Sequence, residues 1–211
     1  MFFQKLAFLS FISAIAIITA LPTNSQDTGS PAQSALTFLT SKQSIMPRFS
    51  SCPLSTFNEL FPNNNKYVIS NYLALTDDGY YLVMFRVNLS DTEFAKLPPK
   101  LQANKSRVIQ LQHGLFDSAD TYFENGESGS LGFHLVQNGF DVWLGNNRGN
   151  KYSVRSVKKM EEKDFFDFSF TEFGQYDTRA FVKKIKEVTQ DPTKRITWIG
   201  HSEGTTQMFI G

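Results

Sequence analysis

The chain has 211 residues, of which 41% are hydrophobic and 21 are phenylalanine, enough apolar material for one domain with a sizeable core. The formal net charge is +1 and no basic cluster occurs, which argues against a nucleic-acid-binding protein. Cys52 is the only cysteine, so a disulfide bond within the chain is excluded.

The N-terminus has the pattern of a secretory signal peptide. Lys5 is followed by an apolar run from Leu6 to about Leu21 and then by Pro22. We predict a signal peptide over residues 1–20; an uncleaved membrane anchor is the alternative, although the run is short for a span. Residues 21–55, rich in Ser, Thr, Gln and Pro, are predicted to be a flexible leader, and residues 56–211 the folded part.

A β-hairpin is predicted next. The runs Tyr67–Leu75 and Tyr80–Val87 are β-prone and are separated by the turn signal Thr-Asp-Asp-Gly. Two glycosylation sequons follow, at Asn88 and Asn104. Because the signal peptide predicts entry into the secretory pathway, both asparagines are candidate glycosylation sites.

Strands and helices then alternate. The runs Arg107–Gln112 and Phe140–Leu144 are predicted buried strands, with a short amphipathic helix at Ser130–Asn138 between them. A second helix is predicted from about Thr171 to Gln190 and is ended by Asp-Pro. A final apolar run, Arg195–Ile199, is the third buried strand. This alternation predicts parallel strands joined by helical crossovers.

The last strand leads into the sequence Gly-His-Ser-Glu-Gly, residues 200–204. A G-x-S-x-G motif between a strand and a helix is the nucleophile elbow of α/β-hydrolases, which presents the serine at a sharp turn. Gly200 and Gly204 leave room for that turn, and the first amides of the following helix favour negative charge. Ser202 is therefore the candidate catalytic nucleophile.

Four sequence blocks in this order resemble the acid lipase family, which includes gastric and lysosomal acid lipases. They are Leu-Gln-His-Gly-Leu at 111–115, Asp-Val-Trp-Leu-Gly-Asn-Asn-Arg-Gly-Asn at 141–150, Phe-Asp-Phe-Ser-Phe at 166–170 and Gly-His-Ser-Glu-Gly-Thr-Thr at 200–206. The resemblance covers roughly residues 61–211, the first half of such an enzyme. It implies an α/β fold: the N-terminal half of an α/β-hydrolase, a β-hairpin followed by parallel β-α-β units that end at the nucleophile elbow, with an incomplete sheet.

The resemblance also implies a function and a site. The implied activity is hydrolysis of triacylglycerols or steryl esters by a secreted or lysosomal enzyme, without metal or organic cofactor. Its partners would be the lipid ester and a lipid interface. Ser202 would be the nucleophile, and the backbone amides of Leu115 and Glu203 would form the oxyanion hole. His113 is expected to shape this loop, because the base of this fold follows the serine in sequence.

Two features depart from the family pattern. Glu203 stands where the family usually has glutamine, and a carboxylate beside a developing oxyanion is expected to favour activity at acidic pH. The family's catalytic Asp and His, which follow the serine, are not in this sequence; His134 and His201 are not expected to replace that His, nor Asp117, Asp141 or Asp177 the acid. We therefore expect the 211-residue chain alone to be inactive, and insoluble or molten because the last strand has an unpaired edge.

Other functions compete with the lipase. A non-catalytic lipid- or partner-binding remnant of a lipase is the main alternative, and another hydrolase chemistry on the same fold, such as peptide hydrolysis, is the third. The retained elbow argues against the remnant, since only catalysis requires so strained a serine.

Overall fold

The computed structural model describes residues 15–19, 52–61, 65–158 and 160–211 of the chain. They form a mixed β-sheet with helices on both faces. In chain order the strands are β1 (Ile15–Thr19), β2 (Tyr67–Leu75), β3 (Tyr80–Leu89), β4 (Val108–Gln112), β5 (Asp141–Gly145), β6 (Arg155–Ser156) and β7 (Ile196–His201).

The helices are mostly short. The α-helices are α1 (Ser55–Asn58), α2 (Asp91–Ala95), α3 (Pro99–Gln102), α4 (Gly126–Gly129), α5 (Leu131–Gln137), α6 (Glu162–Phe165), α7 (Phe170–Glu172), α8 (Arg179–Thr189) and α9 (Glu203–Ile210). Two 3₁₀ turns lie at Ala103–Ser106 and Ala119–Tyr122, and a π-helical segment, Phe173–Thr178, joins α7 to α8. Among the described residues, none of these helices has the length and apolar character needed to cross a membrane.

The sheet has the strand order β1-β7-β4-β5-β3-β2, with β6 paired to one end of β3. Strand β4 lies parallel to both β5 and β7, while β2 and β3 form the antiparallel hairpin. The predicted α/β-hydrolase architecture is therefore confirmed: the hairpin leads into parallel strands, and the central strands β4 and β7 end beside each other at Gln112 and Gly200.

One edge differs from the prediction. We expected the outer edge of β7 to be unpaired, but β1 pairs with it antiparallel, with Ile15 opposite His201 and Thr19 opposite Thr197. The physical reason is that a free row of backbone N–H and C=O groups is a template for any extended β-branched segment, here Ile-Ala-Ile-Ile-Thr. Strand β1 falls within the predicted signal peptide; residues 1–14 and 20–51 lie outside the described residues.

Two apolar layers cover the sheet. On one face Phe57 of α1 stacks on Phe85 with ring centroids 4.0 Å apart, and Phe133 of α5 packs into the same layer. On the other face Phe181 of α8 packs near Trp143. Since Phe57 is fully buried and the Cys52 amide donates to the carbonyl of Lys151, the packed body begins before the predicted boundary at residue 56.

Candidate active site

The serine of the elbow occupies a strained backbone position. Ser202 joins β7 to α9 with φ 53° and ψ −120°, and it is exposed. A Cβ on Gly200 would lie 2.4 Å from the carbonyl oxygen of Gly204, and a Cβ on Gly204 would lie 2.3 Å from that of Gln112. Only glycine therefore fits at either position, and the turn required for a nucleophile elbow is present.

The His-Gly loop after β4 lies directly against the elbow. A Cβ on Gly114 would be 3.1 Å from the Cβ of Ser202, so this loop and the serine are in close contact. His113 is buried beneath the loop, and its Nε2 accepts from the backbone amide of Asn147 at 3.2 Å. Its Nδ1 therefore carries the proton and donates to the carbonyl of Gly114 at 2.7 Å.

These two bonds define the role of His113. With both ring nitrogens occupied, the side chain fixes the loop rather than accepting a proton from Ser202. Burial lowers the pKa of His113, so the neutral ring is retained. The expectation that His113 shapes the loop agrees with this geometry.

The two amides predicted to form the oxyanion hole come from the segments that flank Ser202. Leu115 follows Gly114 in the His-Gly loop, and Glu203 is the first residue of α9. The first amides of a helix have no partner within that helix, so the amide of Glu203 points outward from the N-terminal end of α9. The oxyanion-hole assignment itself stays a prediction.

The side chain of Glu203 is buried behind the elbow, only 9% exposed. Its Oε2 accepts from Asn147 Nδ2 at 3.3 Å, while its Oε1 has no hydrogen-bond partner among the described residues. Burial, with a further contribution from the charge of Asp177, raises the pKa of Glu203 to about 7. The carboxyl is therefore largely protonated at mildly acidic pH.

A chain of buried amide side chains lies beneath the loop and the elbow. Gln110 Nε2 donates to Gln112 Oε1 at 3.2 Å, and Gln112 Nε2 donates to Asn147 Oδ1 at 2.9 Å. Asn147 Nδ2 then donates to Gln207 Oε1 on α9 at 2.8 Å. Sequence analysis missed this network; the signal was two glutamines inside the otherwise apolar β4.

A buried ion cluster holds the loop that follows β5. Arg148 Nε donates to Asp177 Oδ1 at 2.8 Å, and its Nη2 donates to Asp78 Oδ1 at 2.9 Å. The backbone amide of Arg148 donates to Asp177 Oδ2 at 3.0 Å. Asp177 therefore has a structural partner, although its carboxylate is one of the candidate acids considered from the sequence.

Among the other candidate acids and bases, the histidine is exposed and the two acids make local contacts. His134 is exposed on α5. Asp141 accepts hydrogen bonds from Arg86 Nε at 2.7 Å and from Asn88 Nδ2 at 3.0 Å. Asp117 accepts one from the backbone amide of Ser118 at 2.7 Å. These contacts account for the side chains without any role in proton transfer from Ser202.

Both sequon asparagines use the nitrogen to which a glycan would be attached. Asn88 lies in β3 and its Nδ2 donates to Asp141, while Asn104 Nδ2 donates to the carbonyl of Asn138 at 2.8 Å. A glycan at Asn88 would remove a bond inside the sheet, and one at Asn104 would remove a bond in the connection before β4. Glycosylation at both positions stays a prediction.

A groove of about 260 Å³ reaches the elbow at Gly200 and His201. Its other walls are the 3₁₀ turn Ala119–Tyr122 and the start of α5, including Ser130 and Leu131. Open space therefore exists beside Gly200 and His201 of the elbow, on the α5 side of the sheet.

Comparison with protein families supports this architecture. Residues 61–126 match a family model described as a partial alpha/beta-hydrolase lipase region, and residues 107–210 match the alpha/beta hydrolase fold. The structure of the Pyrococcus furiosus esterase Pf2001 is similar at 14% identity and a TM-score of 0.43, over 77% of this chain and 51% of that one.

Similar sequences are acid lipases. The chain is 37% identical over 145 residues to a putative lysosomal acid lipase/cholesteryl ester hydrolase of Crotalus adamanteus, covering 68% of this chain and 34% of the relative. It is 37% identical to gastric triacylglycerol lipase of Rattus norvegicus, covering 68% and 35%. The chain thus spans about a third of the length of these relatives, and it belongs to the acid lipase family of α/β-hydrolases.

Proposed function

We propose that this chain carries the nucleophile of a lipid ester hydrolase acting on triacylglycerols or steryl esters. The observation that supports the proposal most strongly is the strained Ser202, held at φ 53° against Gly114 of the His-Gly loop. An exposed serine in a strained backbone conformation is typical of a catalytic residue. The names of the relatives supply the substrate class.

The proposed mechanism has two chemical steps. Ser202 Oγ attacks the ester carbonyl while a general base takes its proton, and the amides of Leu115 and Glu203 stabilise the oxyanion. The tetrahedral intermediate then collapses: the alcohol leaves with the proton held by the base, and the acyl group stays on Ser202 as an acyl-enzyme. Water, deprotonated by the same base, attacks the acyl-enzyme and releases the free acid and Ser202. His113 holds the loop amide in place for both steps.

We do not assign the general base to any of the three histidines. His113 has both ring nitrogens bonded, and His134 is exposed on α5. His201 directly precedes Ser202 at the sharp turn, where its side chain is expected to point away from the hydroxyl. We therefore propose that the base and its acidic partner are supplied by sequence outside this chain, as in the family.

A fluorophosphonate probe tests the proposal, because it labels a serine only when a base activates it. In the protein expressed from its complete transcript, we expect labelling of the peptide that contains Ser202, and none in Ser202→Ala. Ser118→Ala, which changes a buried serine at the far end of the loop, is the matched control and keeps the labelling.

The main alternative is a non-catalytic lipid- or partner-binding remnant of a lipase. Its supporting observation is that His113, the histidine of the loop beside Ser202, has both ring nitrogens in hydrogen bonds. Absence of labelling in every expressed form, combined with retained binding of a lipid ester, would favour the remnant over the hydrolase.

A further inference from the structure

The tip of the His-Gly loop exposes two large apolar side chains beside the serine. Leu115 is 54% exposed, and Phe116 is fully exposed at 100%. Both lie in a turn directly after Gly114, the residue that packs against Ser202. Because the Phe116 ring is not buried within this chain, it does not stabilise the fold, and packing does not explain a phenylalanine at this position.

The backbone of Phe116 is also strained. Its φ is 59°, in the left-handed region that glycine or asparagine adopts at such turns and that a bulky side chain avoids. A residue that is both strained and fully exposed serves neither the core nor the turn. The combination points to a contact outside the chain.

The rest of the loop is held firmly. His113 bonds the carbonyl of Gly114 and the amide of Asn147, and Tyr122 Oη donates to the carbonyl of Gln112 at 2.8 Å. Beyond the tip, the amide of Ala119 donates to Asn146 Oδ1 at 3.1 Å. Because both ends of the loop are tied to the loop after β5, the tip presents Leu115 and Phe116 at a fixed place.

We propose that the Leu115–Phe116 tip contacts the acyl chain of the ester and sets its preferred length. The inference rests on the proposed function, because the carbonyl must lie near the Leu115 amide for the oxyanion to be stabilised. Consecutive Cα atoms are about 3.8 Å apart, so a chain attached to that carbonyl passes next to Phe116. An apolar chain of several methylenes is the ligand that an exposed aromatic at this place recognises.

Equilibrium binding tests the proposal without requiring catalysis. The probes are fluorescent esters of one alcohol with butanoyl or dodecanoyl chains, kept below the concentration at which they aggregate. The readout is anisotropy with the protein expressed from its complete transcript and carrying Ser202→Ala, which cannot hydrolyse the probes. We expect Phe116→Asn, which suits a positive φ, to weaken binding of the dodecanoyl ester about 5- to 10-fold and of the butanoyl ester less than 2-fold.

Two further variants serve as controls. Phe116→Tyr keeps the aromatic ring and should retain the preference for the long chain. Phe209→Ala removes a 72% exposed phenylalanine from α9 and should leave both affinities unchanged. Because every protein compared carries Ser202→Ala, no ester is hydrolysed during the measurement, and a failure of catalysis is separated from a failure of chain recognition.

Three outcomes would overturn the inference. The first is equal weakening of both esters by Phe116→Asn, or no weakening of either. The second is a Ser202→Ala protein with Phe116 intact that binds the dodecanoyl ester no better than the butanoyl ester. The third is loss of binding to phosphatidylcholine vesicles in Phe116→Asn with unchanged binding of the monomeric dodecanoyl ester, which would assign the tip to a lipid surface.

Discussion

At the scale of single residues, the elbow is the part of this protein most closely determined by steric limits. Gly200 and Gly204 each face backbone atoms at distances that no Cβ tolerates, and Ser202 lies at φ 53° between them. The spacing of the motif encodes these contacts, which is why they could be predicted from five residues.

Replacing Gly204 tests this steric argument. A Cβ at this position would meet the carbonyl oxygens of Gln112 and His113 at 2.3 and 2.6 Å, and these backbone atoms cannot move without shifting the His-Gly loop. We expect Gly204→Ala to reduce the free energy of unfolding by about 3 kcal/mol, measured by urea denaturation. Gly129→Ala, where the nearest contact is a side-chain atom at 3.2 Å, is the control and should cost little. A Gly204→Ala variant as stable as the control would contradict the argument.

Glu203 predicts a pH dependence of stability. Its pKa in the folded chain is about 7, above the ordinary value of 4.5, so folding favours the protonated form. Between these two pH values the unfolded chain has lost its proton while the folded chain retains it. The stability of the fold therefore falls as pH rises through this window, by up to about 3 kcal/mol.

The variant Glu203→Gln removes this titration. It should be more stable than the parent at pH 8 by about 2–3 kcal/mol and close to it at pH 4, by denaturation at each pH. Glu124→Gln changes an exposed glutamate and should alter neither value. An equal effect of Glu203→Gln at both pH values would show that ionisation of this carboxyl is not the cause. In the proposed mechanism the Glu203 amide binds the oxyanion, so we also expect ionisation of this side chain to slow catalysis as pH rises through about 7.

At the scale of elements, most strands and helices follow from their sequence patterns. The hairpin, β4, β5, α5 and β7 all lie within a few residues of their predicted bounds, whereas the helix predicted from about Thr171 to Gln190 is divided into α7, the π-helical segment and α8. The π-helical segment Phe173–Thr178 did not follow from periodicity; Gly174 within it packs closely against α9, since a Cβ on Gly174 would lie 2.4 Å from Ile210. The pairing of β1 with β7 and the buried amide chain likewise depend on residues far apart in the sequence.

Arg148 connects three of these elements. Its guanidinium binds Asp78 in the turn of the hairpin and Asp177 in the π-helical segment, while its own backbone belongs to the loop after β5. Both Arg148 and Asp177 are almost completely buried. The stability of the sheet end that carries the candidate active site therefore depends on this arginine.

Removing the guanidinium leaves Asp177 buried without its cation. We expect Arg148→Leu to lower the free energy of unfolding by about 3–5 kcal/mol, as measured by chemical denaturation. Arg179→Leu, at an exposed position on α8, should change it by less than about 0.5 kcal/mol. Equal effects of the two substitutions would mean that the buried cluster contributes nothing specific.

At the scale of the whole molecule, the sheet places the serine, the His-Gly loop and the loop after β5 at one end. The parallel strands β4, β5 and β7 all end there, and each contributes one segment of the candidate site. The family could be recognised from the order of four sequence blocks, because these blocks are the three segments and the start of the helix that supports them. The burial of Glu203 and the exposure of Phe116 could not be predicted from the sequence, since both depend on the complete packing.

The central proposal on function is that Ser202 is an activated nucleophile. The most direct test is fluorophosphonate labelling of the protein expressed from its complete transcript, with the modified peptide located by mass spectrometry. We predict one labelled residue, Ser202, and loss of both label and esterase activity in Ser202→Ala. Esterase activity that persists in Ser202→Ala, or a label on another residue, would contradict it.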